Sequence, residues 1–316
     1  MRGRAKVGAL AAAVALAVVA ALPGAAPVVV AGAHATTVAK SVPTLAGCPL
    51  FPANSAWRKD ISHARVNPHS KAWVRSVGLS GHLHADFGSN PSYGIPYSVV
   101  PTSQPKVEVT FTAYGDESDR GPYPIPPKAR IEAGSDRHVL VASRNCHVYE
   151  LYGARRSGNS WRAASGAVFD LRSNKLRPAG WTSADAAGLP ILPGLVRPDE
   201  IRAGHIDHAL RFTVARTQRG YIRPATHQAG STASMSAPPM GARFRLKASF
   251  SLKGYHGAAL IILRCLKKYG MFVADNGSNW FISGATYRGW NDTDLNQLKR
   301  VPGSAFEVVA TARIRH

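Results

Sequence analysis

Apolar and polar residues alternate with a period of two in short segments along most of this chain. One segment places Leu210, Phe212 and Val214 on one side, and Arg211 and Thr213 on the other. Because successive side chains of a strand point to opposite faces of a sheet, this pattern predicts half-buried antiparallel strands. The segments with this pattern are 106–112, 138–143, 147–152, 167–171, 209–215, 243–250, 271–275, 279–283 and 305–311.

Helical patterns are few. They cover 70–77, 258–269 and 292–300, and the second ends in basic residues, which a helix C-terminus favours. The chain has no internal repeat and no evident linker after residue 48, and β-rich domains often run to about 250 residues. We therefore expect one mainly β domain over 48–316, an antiparallel β-sandwich or jelly roll with a few short covering helices.

The first 35 residues have the layout of a secretory signal peptide. Three basic residues among the first six precede an uncharged apolar run, and Ala33-His34-Ala35 fits a small-x-small cleavage site. Prolines break the run, and it is shorter than the roughly 20 residues of a membrane span. We expect 1–35 to be removed and 36–47 to form a flexible leader. The mature protein is then secreted and extracellular, with no membrane contact.

Three cysteines are present: Cys48, Cys146 and Cys265. Secretion into an oxidising compartment favours one disulfide. Cys265 lies in the strongly apolar helical segment, where a small buried thiol is well accommodated. We therefore expect a Cys48–Cys146 bridge and a free, buried Cys265. The cysteine spacings fit no metal site.

The chain is strongly basic, with 39 Lys and Arg against 18 Asp and Glu and a net charge of +21. Such a charge attracts polyanions. The basic residues are scattered, however, and they form no basic block and no nucleic-acid motif, so we expect no nucleic-acid partner. An acidic glycan or an anionic cell wall is the partner that the charge favours.

The segment 181–213 concentrates groups that can do acid–base chemistry between apolar turns. Pro198 can begin a short helix whose dipole favours Asp199 and Glu200, so a helix-start role competes with a catalytic one. His205 and His208 can share a helical face, but ordinary turn roles compete and a zinc site lacks a third ligand. The polar groups of the segment are Asp185, Arg197, Asp199, Glu200, His205, Asp207, His208 and Arg211.

A second candidate segment follows an apolar strand at 271–275. Asn276-Gly277 is a strong hairpin signal, so a turn is expected there. A turn at the end of a sheet can still carry function, since Asp275 ends the strand and Trp280 offers a flat face for a sugar ring.

Two further segments allow metal binding. His82, His84 and Asp86 point the same way if they lie in a strand, although a loop at the rim of a site is the alternative. The acidic segment 116–119 can supply oxygen ligands to calcium, with a solvated loop as the alternative.

Three blocks resemble those of a family of secreted bacterial proteins of the actinobacterial type, which has no established activity. The blocks are 188–197, 208–213 and 273–280, and the similarity runs from about Phe51 to Val309. The resemblance implies secretion and a single domain, and it assigns no catalytic residue. The chain is also similar in general character to β-sandwich proteins that act on glycans.

These observations predict a secreted, glycoside-hydrolase-like enzyme that cleaves a cell-wall or extracellular polysaccharide, with acidic polysaccharides among the candidates. A polysaccharide lyase and a non-catalytic glycan-binding protein are the alternatives. We expect a monomer with no cofactor and no metal. The catalytic candidates are Asp185, Asp199, Glu200, His208 and Asp275. The substrate-binding candidates are Arg197, His205, Arg211, Asn276 and Trp280.

Overall fold

The computed structural model describes residues 44–316, and this part of the chain is mainly β, as predicted. The signal peptide and residues 36–43 of the leader lie outside the described residues. No helix within 44–316 is long and apolar enough to span a bilayer. The helices are α1 Ser70–Val77, α2 Pro198–Ala203, α3 Gly257–Lys268 and α4 Asp292–Asn296. The strands are β1 His84–Ala85, β2 Tyr97–Val100, β3 Val109–Phe111, β4 Val139–Ser143, β5 His147–Tyr152, β6 Arg155–Ser157, β7 Ser160–Ala163, β8 Ser165–Asp170, β9 Leu210–Val214, β10 Arg243–Leu246, β11 Met271–Asn276, β12 Phe281–Ile282 and β13 Phe306–Val309.

The strands form three sheets in the described part of the chain. A six-stranded sheet has the order β1-β12-β9-β11-β10-β13, a four-stranded sheet β2-β4-β5-β8, and a three-stranded sheet β3-β7-β6. Each sheet contains parallel pairs, namely β1 with β12, β9 with β11, β2 with β4, and β3 with β7. The prediction of purely antiparallel sheets is therefore wrong, because alternation reports which face a residue occupies and not the direction of the neighbouring strand.

The six-stranded sheet carries the main core on one face. Phe212 lies on this face, with its ring 5.1 Å from that of Phe244 and 6.0 Å from that of Trp280. Helix α1 packs against β13 and α3 packs against β10. The alternation in β9 turns Arg211 and Thr213 to the opposite face, where they line a cleft.

The apolar side of α3 provides a direct test of this core. Ile262 is fully buried, whereas its neighbour Ile261 is only partly buried. We expect Ile262→Ala to lower the free energy of unfolding by about 2–5 kcal/mol, because it leaves a cavity in close-packed surroundings. Urea denaturation measures this loss, and Ile261→Ala is the matched control with a smaller loss. Equal losses in both variants would contradict the packing of this helix.

The predicted disulfide is confirmed. Cys48 and Cys146 are bonded, with their Cα atoms 5.4 Å apart, and the bridge joins the start of the described chain to the turn between β4 and β5. Cys265 is free and buried in α3, as expected, and its Sγ donates to the carbonyl oxygen of His208 at 3.1 Å. The bridge therefore fixes the N-terminal segment against the four-stranded sheet.

Candidate functional site

A cleft opens on the polar face of the six-stranded sheet. Its volume is about 340 Å³, within the range of small-ligand sites. We call it the acidic cleft, because it holds more carboxylates than cations. Its ionisable residues are Asp86, Glu132, Asp136, His138, Arg211 and Asp275.

Strand pairing brings distant parts of the chain to one wall of the acidic cleft. Phe281 pairs with Thr213 of β9, and His84 of β1 pairs with Phe281. Asp86 lies two residues beyond His84, so it shares the same face of the sheet. The predicted common direction of His84 and Asp86 is therefore seen, and it places Asp86 in the cleft.

Asp275 reaches the acidic cleft because β11 contains an irregularity. Val273 pairs with Phe212 on the core face, but the next pair in register is Asp275 with Thr213. The extra residue, Ala274, forms a bulge that shifts the alternation by one position. The carboxylate of Asp275 thus lies on the cleft side, where its Oδ1 accepts a hydrogen bond from the backbone N–H of Asn276 at 2.7 Å.

Arg211 is held from behind by Asp185. Its Nε and Nη2 donate to Asp185 Oδ2 at 3.0 and 2.7 Å, and its Nη1 donates to Ser283 Oγ at 2.7 Å. Asp185 Oδ1 accepts from the backbone N–H of Ala187 at 2.9 Å. Burial raises the pKa of Asp185 to about 6, against the opposing charge of Arg211. Asp185 is therefore a positioning group that fixes the guanidinium.

Glu132 and His138 form a tight pair that also lines the acidic cleft. His138 Nδ1 lies 2.5 Å from Glu132 Oε2, and its Nε2 lies 3.0 Å from the carbonyl oxygen of Ala184. A carbonyl only accepts, so Nε2 carries a proton and one further proton is shared between Nδ1 and Glu132. Burial lowers the pKa of His138, but the hydrogen bond and charge of Glu132 outweigh it, and the pKa is raised. The pair is thus held together by a short hydrogen bond between His138 Nδ1 and Glu132 Oε2.

Two other carboxyl groups of the acidic cleft hold their protons more tightly than usual. Desolvation raises the pKa of Asp86, and the negative charge of Glu132 adds to this effect. Burial likewise raises the pKa of Asp275, although Arg211 opposes it. One cleft therefore contains a carboxyl group paired with a histidine and two carboxyl groups with raised pKa values, a combination typical of acid–base sites.

The sequence candidates divide between this cleft and other places. Arg211, Asp275 and Asn276 line the acidic cleft, and Asp185 supports it from behind. Glu132, Asp136 and His138 were not among the predicted site residues. They lie just before β4, where the alternation of 138–143 indicates only a strand. The sequence signal that could have indicated them is the grouping of a glutamate, an aspartate and a histidine around Gly134-Ser135.

Arg197, Glu200 and His208 lie in a separate buried ion cluster, so the acidic cleft does not contain these predicted site residues. All three are buried, and Glu200 Oε1 lies 2.7 Å from His208 Nε2 and 3.0 Å from Arg197 Nη2. Glu200 Oε2 also accepts from the backbone N–H of Arg197 at the start of α2. The helix-start alternative is the one seen, since Arg197 and Glu200 form the capping box of α2.

The remaining candidates of this region also lie outside the acidic cleft. Asp199 Oδ1 is 3.4 Å from Arg197 Nε, and His205 pairs with Asp207 at 2.9 Å. Trp280 is fully buried, stacks on Phe306 with ring centroids 4.9 Å apart and donates from Nε1 to a backbone carbonyl. The prediction that Trp280 stacks on a sugar is therefore wrong, because its ring belongs to the core.

The two metal-binding alternatives find no support in residues 44–316. No group of three or more His, Cys, Asp or Glu residues there is arranged to hold a metal ion. In the acidic segment, Glu117 Oε2 accepts from the backbone of Thr182, and Asp119 binds Arg177 and the backbone of Val168. These oxygens support the protein's own backbone.

Comparison of the chain with protein-family models, with curated proteins and with solved structures gives no match. The resemblance to secreted bacterial proteins stays an expectation, and the function is argued from the site.

Proposed function

We propose that this protein is a secreted, extracellular glycoside-hydrolase-like enzyme that cleaves a polysaccharide in the acidic cleft. The observation that carries the proposal is the Glu132–His138 pair facing carboxyl groups with raised pKa values in one cavity. Hydrolysis of a glycosidic bond uses one ionised and one protonated carboxyl group, and it needs no cofactor.

The environments of the carboxyl groups suggest their roles. Glu132 is paired with His138, and only its Oε2 is bonded within the described residues, so Oε1 is available to the substrate. It would act as the nucleophile or as the base for the attacking water. Asp86 would donate its proton to the departing glycosidic oxygen as the C–O bond breaks. The charge of Glu132 contributes to the raised pKa of Asp86, which links the two groups electrostatically.

Arg211 and Asp275 would bind and orient the sugar. Arg211 is fixed by Asp185 and Ser283 before any ligand arrives, so little order is lost when it donates to a hydroxyl group. Asp275 can accept from a second hydroxyl, and charge-assisted hydrogen bonds of this kind are stronger than neutral ones.

The charge of the acidic cleft favours hydrolysis of an uncharged or amine-bearing polysaccharide over elimination from a uronate. Glu132 and Asp136 would repel a uronate carboxylate, and Arg211 already pairs with Asp185. The remainder of the chain is strongly basic and would attract the enzyme to an anionic cell surface. The net charge would thus determine where the enzyme binds, and the charge of the acidic cleft would determine which polysaccharide it cleaves.

The sandwich arrangement of the sheets remains part of this proposal. Leu140 of β4 and Val148 of β5 belong to the same hydrophobic cluster as Phe212 and Phe244 of the six-stranded sheet. A core shared by residues of two sheets is the feature that a β-sandwich requires.

A substrate panel tests the proposed function. Reducing-end release is measured on uncharged, amine-bearing and uronate polysaccharides, with absorbance monitored for the unsaturated product of a lyase. We expect reducing ends from an uncharged or amine-bearing polymer without that absorbance. An unsaturated product from a uronate would instead identify a lyase, and binding without any product would identify a glycan-binding protein.

A further inference from the structure

A second hollow shares lining residues with the acidic cleft. This second hollow has a volume of about 300 Å³ and is lined by His84, Phe87, Asn90, Asp292 and Lys299, together with Asp86 and Tyr93. Asp86 and Tyr93 also line the acidic cleft. The two cavities therefore share these residues, and the proposed proton donor borders both of them.

Tyr93 is an exposed aromatic residue that borders both cavities, with 57% of its surface accessible. Its loop is held by Thr286, whose Oγ1 donates to the carbonyl oxygens of Gly94 at 2.7 Å and Tyr93 at 3.2 Å. Ile95, which follows Gly94, donates from its backbone N–H to the carbonyl oxygen of Gly284 at 2.9 Å. The backbone that carries the aromatic ring is thus fixed against the segment after β12.

Gly94 shows how closely this loop packs. Its φ is +78°, and a Cβ there would lie 2.9 Å from Gly284 O and 3.0 Å from the backbone nitrogen of Thr286. Only glycine combines this conformation with so short an approach. The tyrosine ring is therefore presented to solvent on a rigid support, which reduces the entropy lost when a ligand packs on it.

The second hollow is suited to an uncharged sugar. Both carboxylate oxygens of Asp292 already accept from Ser89, from its backbone N–H at 2.9 Å and its hydroxyl at 2.6 Å. Lys299 and His84 face the same space. This mixture of signs gives no strong preference for a charged ligand, whereas the apolar C–H face of a sugar ring can pack on the exposed tyrosine.

We propose that Tyr93 is a sugar-stacking platform in a continuous groove that binds an internal stretch of a polysaccharide chain, with sugars on both sides of Asp86. Binding by this groove stands on its own, while cleavage within the chain rests on the proposed hydrolase function. An enzyme that removes sugars from a chain end needs a pocket closed beyond the scissile bond. Here a second hollow borders the proposed donor instead.

The binding test uses the Glu132→Gln protein, in which turnover is blocked. Isothermal titration calorimetry is carried out with β-1,4-linked glucose and β-1,4-linked N-acetylglucosamine oligomers, from disaccharide to hexasaccharide. We expect affinity for one series to increase with length until both cavities are filled. Adding Tyr93→Ala should weaken hexasaccharide binding about tenfold, whereas Tyr93→Phe retains the ring and the affinity.

Tyr287 offers a matched control, since it is 42% exposed and lines neither cavity. Tyr287→Ala should leave hexasaccharide affinity unchanged. Affinity that does not change with length, or that is the same in Tyr93→Ala and Tyr287→Ala, would overturn the groove. Absence of binding by both series would overturn it as well.

Product analysis with the wild-type protein separates this inference from the proposed function. Cleavage within a chain lowers the viscosity of a polymer early and releases oligomers of mixed length. Release of a single small product from chain ends would overturn the groove and leave the hydrolase proposal intact. Tyr93-dependent binding with no cleavage of any substrate would support the groove and contradict the hydrolase proposal.

Discussion

Glu132→Gln is expected to lower kcat by about 10²–10⁴-fold, the usual contribution of a positioned acid or base. Glutamine has the size of glutamate and retains an oxygen that can accept from His138 Nδ1, so the wall of the acidic cleft should keep its shape. It cannot attack an anomeric carbon or take a proton from water. The loss should therefore appear in turnover and not in thermal stability.

Specific activity and melting temperature are measured together to test this role. Glu108→Gln is the control, because Glu108 is an exposed glutamate that does not line the acidic cleft. The control should retain both quantities. If Glu132→Gln melts early yet keeps full specific activity, Glu132 is structural and the assigned role is wrong.

Part of the site could be predicted from the alternation of side chains alone. In β9, a period of two was enough to place Phe212 in the core and Arg211 on the opposite face, and both positions are observed. The same argument placed Asp86 and His84 on a common side. Local periodicity is reliable here because the strands follow it without interruption.

Asp275 shows where periodicity stops being sufficient. Continued alternation from Val273 would have put Asp275 in the core, and only the bulge at Ala274 turns it to the cleft. No residue type in this segment marks a bulge, and the hairpin signal that followed concerned the turn. Asp275 could be chosen as a candidate from its place at a strand end. The bulge that places its carboxylate in the acidic cleft was not predictable.

Glu132 and His138 were missed because the acidic cleft is assembled from different sheets. They precede β4 of the four-stranded sheet, whereas Arg211 belongs to the six-stranded sheet. Which loop lies over which face depends on long-range packing, and no local pattern reports it. The many ionisable residues before β9 pointed to a site there for a related reason. A high density of charged residues does not show whether they contact a ligand or pair with one another.

The largest expected stability loss lies in the buried ion cluster. Glu200→Ala is expected to lower the free energy of unfolding by about 3–5 kcal/mol, because it leaves buried cations without their partner. Glu200 is the carboxylate nearest to both His208 and Arg197. His208 Nδ1 also lies 2.8 Å from the carbonyl oxygen of Ala209, so each ring nitrogen has an oxygen partner and loss of Glu200 leaves Nε2 without one.

Urea denaturation at neutral pH measures this loss, and Asp199→Asn is the control. Asp199 is 35% exposed and 3.4 Å from Arg197, so its pairing contributes no more than about 1 kcal/mol. Equal stability of Glu200→Ala and the wild type would show that water reaches the cluster and that its charged groups are solvated.

The pH dependence of stability in the wild type and in Glu200→Ala follows from the charge of Glu200. Burial alone would raise its pKa, but the charges of His208 and Arg197 outweigh burial, and the pKa is lowered. A carboxyl group with a lowered folded-state pKa binds fewer protons in the folded state than in the unfolded state. The stabilisation is therefore present above the ordinary glutamate pKa and is lost as the pH falls through the folded-state value. The wild type and Glu200→Ala should converge in stability in acid, and a difference that persists at low pH would mean that packing, and not charge, is the main contribution of Glu200.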